Sequence, residues 1–342
     1  MCDMVTKYLD RTKGLLYSGV IKRLSTPIEV YIELTNVCNL QCIYCYKKGI
    51  NTNGPRYFDV NLLRKVLDDL HSETVEPILF VLEGGEPLLH PQLSEIIQCI
   101  KYFNYPIDIL TNGELLNSTT ANEILPYIDL SNDDIQISFD GISDDALKNR
   151  KNSYKKIVDN ILYLNLHKVY PRINVVVTKY NVDSILDFLD YINKNIKVKS
   201  VSLNSVIGRK NVPIQATLEK RKHLSAMLDN KRYNFGVFKS LLHNVCDSSI
   251  CMETHGTAED VHIRCTALTG KLCLSVEGEV YPCVFYENMT EPIGSLSEKG
   301  ILEIWNSREA RRFLTQKATN EAKCMRCSLN KKCTQICAGS IL

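Results

Sequence analysis

From residue 28 to about 205, short β-branched apolar runs alternate with longer stretches whose apolar positions recur at helical spacing. The short runs, at 28–34, 77–82, 107–111, 134–139, 172–178 and 198–204, predict strands, and the stretches at 60–72, 92–103, 118–126, 154–168 and 182–194 predict helices. Start signals support several of the helices, such as Asp59 ahead of Val-Asn-Leu-Leu and Pro91 ahead of Gln-Leu. Strict alternation of strand and helix implies βαβ units and a parallel sheet. Six units fall short of the eight that close a full barrel, so the predicted fold is α/β, a partial, open (β/α)6 barrel. Ligands would then collect at the C-terminal ends of the strands.

The pattern changes beyond residue 205. An irregular connector with a helix at 217–229 leads to Lys271–Pro282, which reads as a hairpin turning at Glu277-Gly278. A helix at 300–316 follows, and then the chain's last cysteines. This predicts a second, cysteine-bound module. The expected division is an N-terminal extension over 1–27, a barrel over 28–210, a connector over 211–250 and the cysteine-rich part over 251–342.

Composition narrows the class. With 44% apolar and 23% charged residues, 342 residues suit a globular chain with a real core. The net charge of +2 gives no reason to expect a nucleic-acid partner. No window approaches the roughly 20 apolar residues that span a bilayer. The first residues, Met1-Cys-Asp-Met-Val-Thr-Lys, carry no secretion signal, so the chain reads as cytoplasmic, without a membrane partner.

The 14 cysteines are clustered, with three at 38–45, a looser group at 246–283 and four at 324–337; Cys2 and Cys99 stand apart. Cys99 falls on the apolar face of its helix and reads as a small core residue. In a cytosolic chain such clusters read as metal or redox sites. Cys38, Cys42 and Cys45, directly after the first strand, cannot close a tetrahedral zinc site alone. Three thiolates on one loop suit an iron–sulfur cluster with one iron left open. On spacing alone, three buried cysteines or part of a zinc site completed elsewhere stay open.

The other strand ends bear on that choice. The second ends in Glu83-Gly84-Gly85-Glu86-Pro87, the third in Thr111-Asn112-Gly113, the fourth in Ser138-Phe-Asp140-Gly141 and the fifth in Thr178-Lys-Tyr-Asn181. Each alone is a turn signal. Together they set small polar groups on successive strand ends facing the cysteine loop, as a polar cofactor requires. Adjacent glycines let a ligand approach the backbone closely, and a glutamate can accept from an ammonium group.

Cys38-x3-Cys42-x-Tyr44-Cys45, with Gly84-Gly85-Glu86-Pro87 and Ser138-x-Asp140-Gly141, resembles the radical S-adenosylmethionine (SAM) superfamily over roughly residues 28–210. The resemblance implies a [4Fe-4S] cluster on Cys38, Cys42 and Cys45 whose open iron binds SAM. It places Gly84, Gly85 and Glu86 at the methionine amine, Ser138 and Asp140 near the ribose with Asn112 close by, and the backbone around Tyr44 and Val206 near the adenine. Arg150 resembles a family arginine facing the SAM carboxylate; a solvated helix-end arginine is the other reading.

Cys265, Gly278 and Cys283, followed by Cys324-x2-Cys327-x5-Cys333-x3-Cys337, resemble the SPASM domain, an auxiliary iron–sulfur module of radical SAM enzymes that act on peptides and proteins. A paired-CxxC zinc ribbon is the bland alternative. The family pattern ends in one more cysteine than is present here. Cys246, Cys251 and Cys273 are available to complete the ligand sets, with Cys251 the better placed and Cys273 in mid-strand. One or two auxiliary [4Fe-4S] clusters are therefore expected, or a shortened twitch-like module with a single cluster on Cys265, Cys283, Cys324 and Cys327.

The implied function is hydrogen abstraction from a peptide or protein side chain by a 5′-deoxyadenosyl radical, giving oxidation, a crosslink or epimerisation in ribosomal peptide maturation. A flavodoxin or ferredoxin would be the electron donor. Val280-Tyr-Pro-Cys283-Val-Phe-Tyr286 is similar to the sulfatase-maturase branch, but that branch carries an aspartate where Val284 stands, so simple sulfatase oxidation is disfavoured. The alternative is a dehydrogenase or epimerase of a sugar or aminocyclitol, with Cys246, Cys251 or Cys273 as candidate hydrogen donor or base. A non-enzymatic electron carrier or sensor is a third reading, against which the SAM-contact residues argue.

Overall fold

The computed structural model describes residues 2–18, 20–47, 51–74, 76–151, 153–206, 213–239, 265–286 and 290–325. Seven parallel strands follow in chain order: β1 (Glu29–Glu33), β2 (Leu79–Glu83), β3 (Ile107–Thr111), β4 (Asp134–Ser138), β5 (Arg172–Val177), β6 (Ser200–Ser205) and β7 (Gly236–Phe238). The first six match the predicted strands to within two residues. Helices α2 (Val60–Glu73), α3 (Leu93–Tyr102), α4 (Ser118–Ile124), α5 (Asp144–Leu147), α6 (Tyr154–Leu166), α7 (Ile185–Asn195) and α8 (Leu218–Asp229) lie between or beside them.

Residue pattern and packing agree. On α2 the buried positions are Val60, Leu63, Val66, Leu67 and Leu70, one helical face, and the Asp59 carboxylate accepts from Asn61 N to cap its start. On β5 the buried Ile173, Val175 and Val177 alternate with half-buried Arg172, Asn174 and Val176. Parallel strands covered by helices on both faces are normally apolar throughout. Here the second face carries Gln136, Ser138, Asn174 and Asn204, so it borders a polar space. One cavity touches residues of β1 through β6, which requires the sheet to curve around it. Cys99 packs at the edge of the core, half-buried, close to its predicted role.

Several elements differ from expectation. Residues 2–17 form helix α1 (Cys2–Tyr17), whose Leu9 and Leu16 pack with Ile28 and whose Lys13 pairs with Glu29 at 2.7 Å. The helix predicted over 300–316 is two, α9 (Ile301–Trp305) and α10 (Arg308–Met325), because Ser307 Oγ caps the second by accepting from Ala310 N. Pro126 turns the end of the 118–126 stretch into a separate 3-10 turn at Leu125–Tyr127.

The predicted hairpin is present as β8 (Lys271–Leu274) and β9 (Glu279–Tyr281), with β10 (Gly294–Ser295) beside it. It extends the barrel sheet: β8 pairs in parallel with β1, giving the order β10-β9-β8-β1-β2-β3-β4-β5-β6-β7. The turn uses Gly278 at φ +81°, and a Cβ there would lie 2.6 Å from Leu62 Cδ2 on α2. A Gly278→Ala chain should lose about 1–2 kcal/mol from the strained φ, before any movement of Leu62, measurable by urea unfolding. Among the described residues, no helix is long and apolar enough to cross a membrane.

Candidate active site

The loop from Cys38 to Lys47 leaves β1 without regular secondary structure and lies over the strand ends. Its entry is held by paired amides. Asn36 accepts from Arg56 N at 2.8 Å and donates to the carbonyls of Thr52 and Gly54, both at 3.0 Å. Asn51 accepts from Cys38 N at 2.9 Å and donates to Cys38 O at 2.8 Å. The first cysteine is therefore fixed through its backbone, leaving its sulfur to face the cavity.

The Gly-Gly-Glu stretch packs onto this loop. Gly85 N donates to Thr35 O at 2.7 Å and Glu86 N to Val37 O at 2.8 Å. A Cβ on Gly84 would lie 2.6 Å from Thr35 O, and one on Gly85 would lie 2.2 Å from Val37 O. The glycines are thus needed for close approach of chain to chain, while their exposed edges line the cavity. The Glu86 carboxylate does not line it. It is fully buried and accepts from Thr111 Oγ1 at 2.7 Å, Asn112 N at 2.8 Å and Leu88 N at 3.2 Å, and burial pushes its pKa up to about 7 despite these donors.

The cavity, about 760 Å3, is lined by Cys38, Cys42, Tyr44 and Cys45 of the loop, Gly84 and Gly85, Asn112, Ser138, Arg150 and Val206. All ten are residues singled out from the sequence for cluster or cosubstrate, and of the two readings of Arg150 the solvated helix-end arginine falls: it is 7% exposed. Its Nε donates to Asp140 Oδ2 at 3.1 Å, its Nη1 lies 3.6 Å from Cys42 Sγ, and its guanidinium sits 5.3 Å from the Tyr44 ring centre. Asp140 stands behind the lining as a hub, accepting also from Tyr44 Oη and, at 2.9 Å, from Val176 N.

Desolvation raises both the Cys38 thiol, to about 11, and the Cys42 thiol, with Arg150 pulling Cys42 back down. Among the described residues, no three His, Cys, Asp or Glu side chains converge as a single ion would require. Three thiols ringing one cavity fit a group that meets each sulfur at a different corner, as an iron–sulfur cube does.

The far wall comes from the C-terminal part. Cys283, Val284 and Phe285 line the same cavity, and Phe285 meets the Tyr46 ring edge-on at 5.0 Å. Cys265 and Cys283 pack into one small cluster with Ala267 and Tyr286. Cys273 is fully buried on β8 and does not line the cavity, a position suited to core rather than to hydrogen donation. Cys324 falls in the last turn of α10. Cys246, Cys251, Cys327, Cys333 and Cys337 lie outside the described residues.

The sequence reading missed a buried ionic group where the cysteine loop meets the ends of β1 and β2. Lys47 Nζ lies 3.3 Å from Glu33 Oε1 and 3.4 Å from Glu83 Oε1, and Tyr46 Oη donates to Glu83 Oε2 at 3.1 Å. Burial works against the lysine charge, but Glu83, Tyr46 and Glu33 outweigh it and hold Lys47 protonated. The available signal was two glutamates inside apolar strand runs.

Comparison with known proteins agrees with this geometry. The radical SAM superfamily matches residues 32–192, and the SPASM iron–sulfur cluster-binding domain matches residues 265–328. A cysteine-type anaerobic sulfatase-maturating enzyme of Clostridium novyi is 27% identical over 333 residues, covering 88% of this chain and 84% of that protein. The antilisterial bacteriocin subtilosin biosynthesis protein AlbA of Bacillus subtilis is 24% identical, covering 82% of this chain but only 60% of AlbA. In fold, the chain is similar to Streptococcus suis SuiB bound to precursor peptide SuiA, with a TM-score of 0.71 at 17% identity over 96% of this chain and 76% of SuiB. It is also similar to anSMEcpe with bound AdoMet and a peptide, with a TM-score of 0.67 at 19% identity over 92% of this chain and 90% of that one. Residues 32–192 form a radical SAM domain and residues 265–328 a SPASM iron–sulfur domain, which makes this an enzyme working with S-adenosylmethionine and [4Fe-4S] clusters.

Proposed function

We propose that this enzyme modifies a side chain of a peptide or protein in the cytoplasm, within ribosomal peptide maturation. The observation that carries the reading is the shared cavity: the loop cysteines and the Cys283–Phe285 segment face one space of about 760 Å3. That volume lies in the upper part of the range for small-molecule sites, which suits a cosubstrate together with an inserted side chain. The peptide relatives named above support the substrate class.

In this reading Cys38, Cys42 and Cys45 hold the cluster. Gly84, Gly85, Asn112, Ser138, Arg150 and Val206 flank SAM, with Tyr44, Asp140 and Glu86 holding that wall in place. Cys265, Cys283, Cys324, Cys327, Cys333 and Cys337, with Cys251, serve the auxiliary clusters, and a flavodoxin or ferredoxin supplies electrons. When bound, the cluster and SAM supply a 5′-deoxyadenosyl radical that abstracts hydrogen. Arg150 keeps a positive charge at Cys42, and Tyr31, Leu110, Val284 and Phe285 give the cavity its apolar wall against water. Val284 offers no base, so a crosslink, epimerisation or another oxidation is favoured over sulfatase-type oxidation.

The test is anaerobic incubation of reconstituted enzyme with SAM, reductant and the peptides encoded beside its gene. One peptide should change mass in step with 5′-deoxyadenosine. Deoxyadenosine formed without change in any of them would overturn the reading.

A further inference from the structure

Three cysteine sulfurs on a loop without helix or strand must be gathered against chain entropy. Beside contacts to sulfur, such as those from Leu40 N to Cys38 Sγ at 3.4 Å and from Arg150 Nη1 to Cys42 Sγ at 3.6 Å, the loop is held by bonds of its other side chains and its backbone. At the Cys38 end, Asn39 Oδ1 accepts from Asn112 Nδ2 at 2.8 Å and Asn39 Nδ2 donates to Glu114 Oε2 at 3.1 Å, while Glu86 holds Asn112 N at 2.8 Å. The loop is thereby tied to the end of β3. At the Cys45 end, Lys47, with a side chain only 2% exposed, inserts between Glu33 at the end of β1 and Glu83 at the end of β2. Between them Ile43 N donates to Asn149 O at 3.0 Å.

A buried ion pair rarely adds net stability over an apolar substitute, but it can fix a register, because only one partner arrangement satisfies it. Two apolar residues would suffice to pack the ends of β1 and β2. What Lys47 adds is one definite position for the residues before it.

We propose that Asn39 and Lys47 are positioning residues that hold Cys38, Cys42 and Cys45 in their cluster-receiving arrangement before iron arrives. The proposal rests on reading those cysteines as the SAM-cluster ligands. They act through the loop backbone: Asn39 stands outside the cavity lining, and Lys47, which borders the cavity, has its ammonium engaged by Glu33 and Glu83.

The test compares the full chain with an Asn39→Ala chain and with a charge-neutral Lys47→Met/Glu33→Gln/Glu83→Gln chain, each reconstituted anaerobically with iron and sulfide. A Cys38→Ala/Cys42→Ala/Cys45→Ala chain sets the level of auxiliary iron. Iron retained against a chelator is read alongside the melting temperature and the electron paramagnetic resonance of the reduced cluster with and without SAM. Both positioning variants should keep the auxiliary iron and melt near the parent. Their loop cluster should yield to chelator about tenfold more readily, the size expected when the support of metal ligands is removed. Should the neutral chain fail to fold, Asn39→Ala, which alters one exposed side chain, decides alone. Loop iron held as tightly as in the parent overturns the proposal. If instead the triple-cysteine chain retains all the parent's iron, the cluster assignment itself has failed.

Discussion

A Cys42→Ala chain, reconstituted without oxygen and reduced with dithionite, is expected to form 5′-deoxyadenosine only at the background of iron-free protein. Cys42 is the middle of the three loop thiols and the one beside the Arg150 guanidinium, at 3.6 Å. Removing it leaves two thiolates for a cluster that needs three from the chain, and about four irons should be lost while auxiliary iron stays. The fold should survive. Arg150 keeps its bond to Asp140, and the alanine sits on a cavity wall, so the stability change should stay within about 1 kcal/mol. A Cys99→Ala chain, altered at the edge of the core, should cleave SAM at the parent rate. Undiminished SAM cleavage by the Cys42→Ala chain would detach the chemistry from this loop.

How much of this was legible depends on the range of the forces involved. The alternation of apolar runs is local, so it located the six barrel strands. It could not give strand partners: nothing in Lys271–Leu274 indicates that it pairs with β1 rather than standing in a separate module. Helix α1 was passed over because its apolar residues were weighed only against a secretion signal. At the site, Cys38, Cys42, Cys45, Gly84 and Gly85 were legible because their chemistry requires those residue types. Lys47 was not, since a lysine after a cysteine loop reads as solvated until Glu33 and Glu83 are brought beside it. Arg150 shows the converse, two sequence readings separated by burial alone.

Glu86 joins these threads and is where the largest loss of stability is expected. The resemblance sets it at the cosubstrate amine, yet its side chain is turned into the wall, where it satisfies Thr111 Oγ1, Asn112 N and Leu88 N. A Glu86→Ala chain strands these three buried donors and opens a void, at about 4 kcal/mol and roughly a 6 °C drop in melting temperature for a chain of 342 residues. It should also weaken loop iron, because Asn112 holds Asn39. A pH series separates this carboxylate from a generic packing loss. Burial raises its pKa from the ordinary 4.5 to about 7, so across that window the folded chain keeps a proton that the unfolded chain has released. Its contribution to stability therefore falls as pH rises, by about 3 kcal/mol in all, and is complete above the folded value. The Glu86→Gln chain lacks this component. The stability difference between parent and Glu86→Gln, from urea unfolding at pH 4.5 and pH 8, should shift by about that amount against the parent at the higher pH. Parallel pH profiles for the two chains would mean that Glu86 stays ionised throughout, with its three donors outweighing burial.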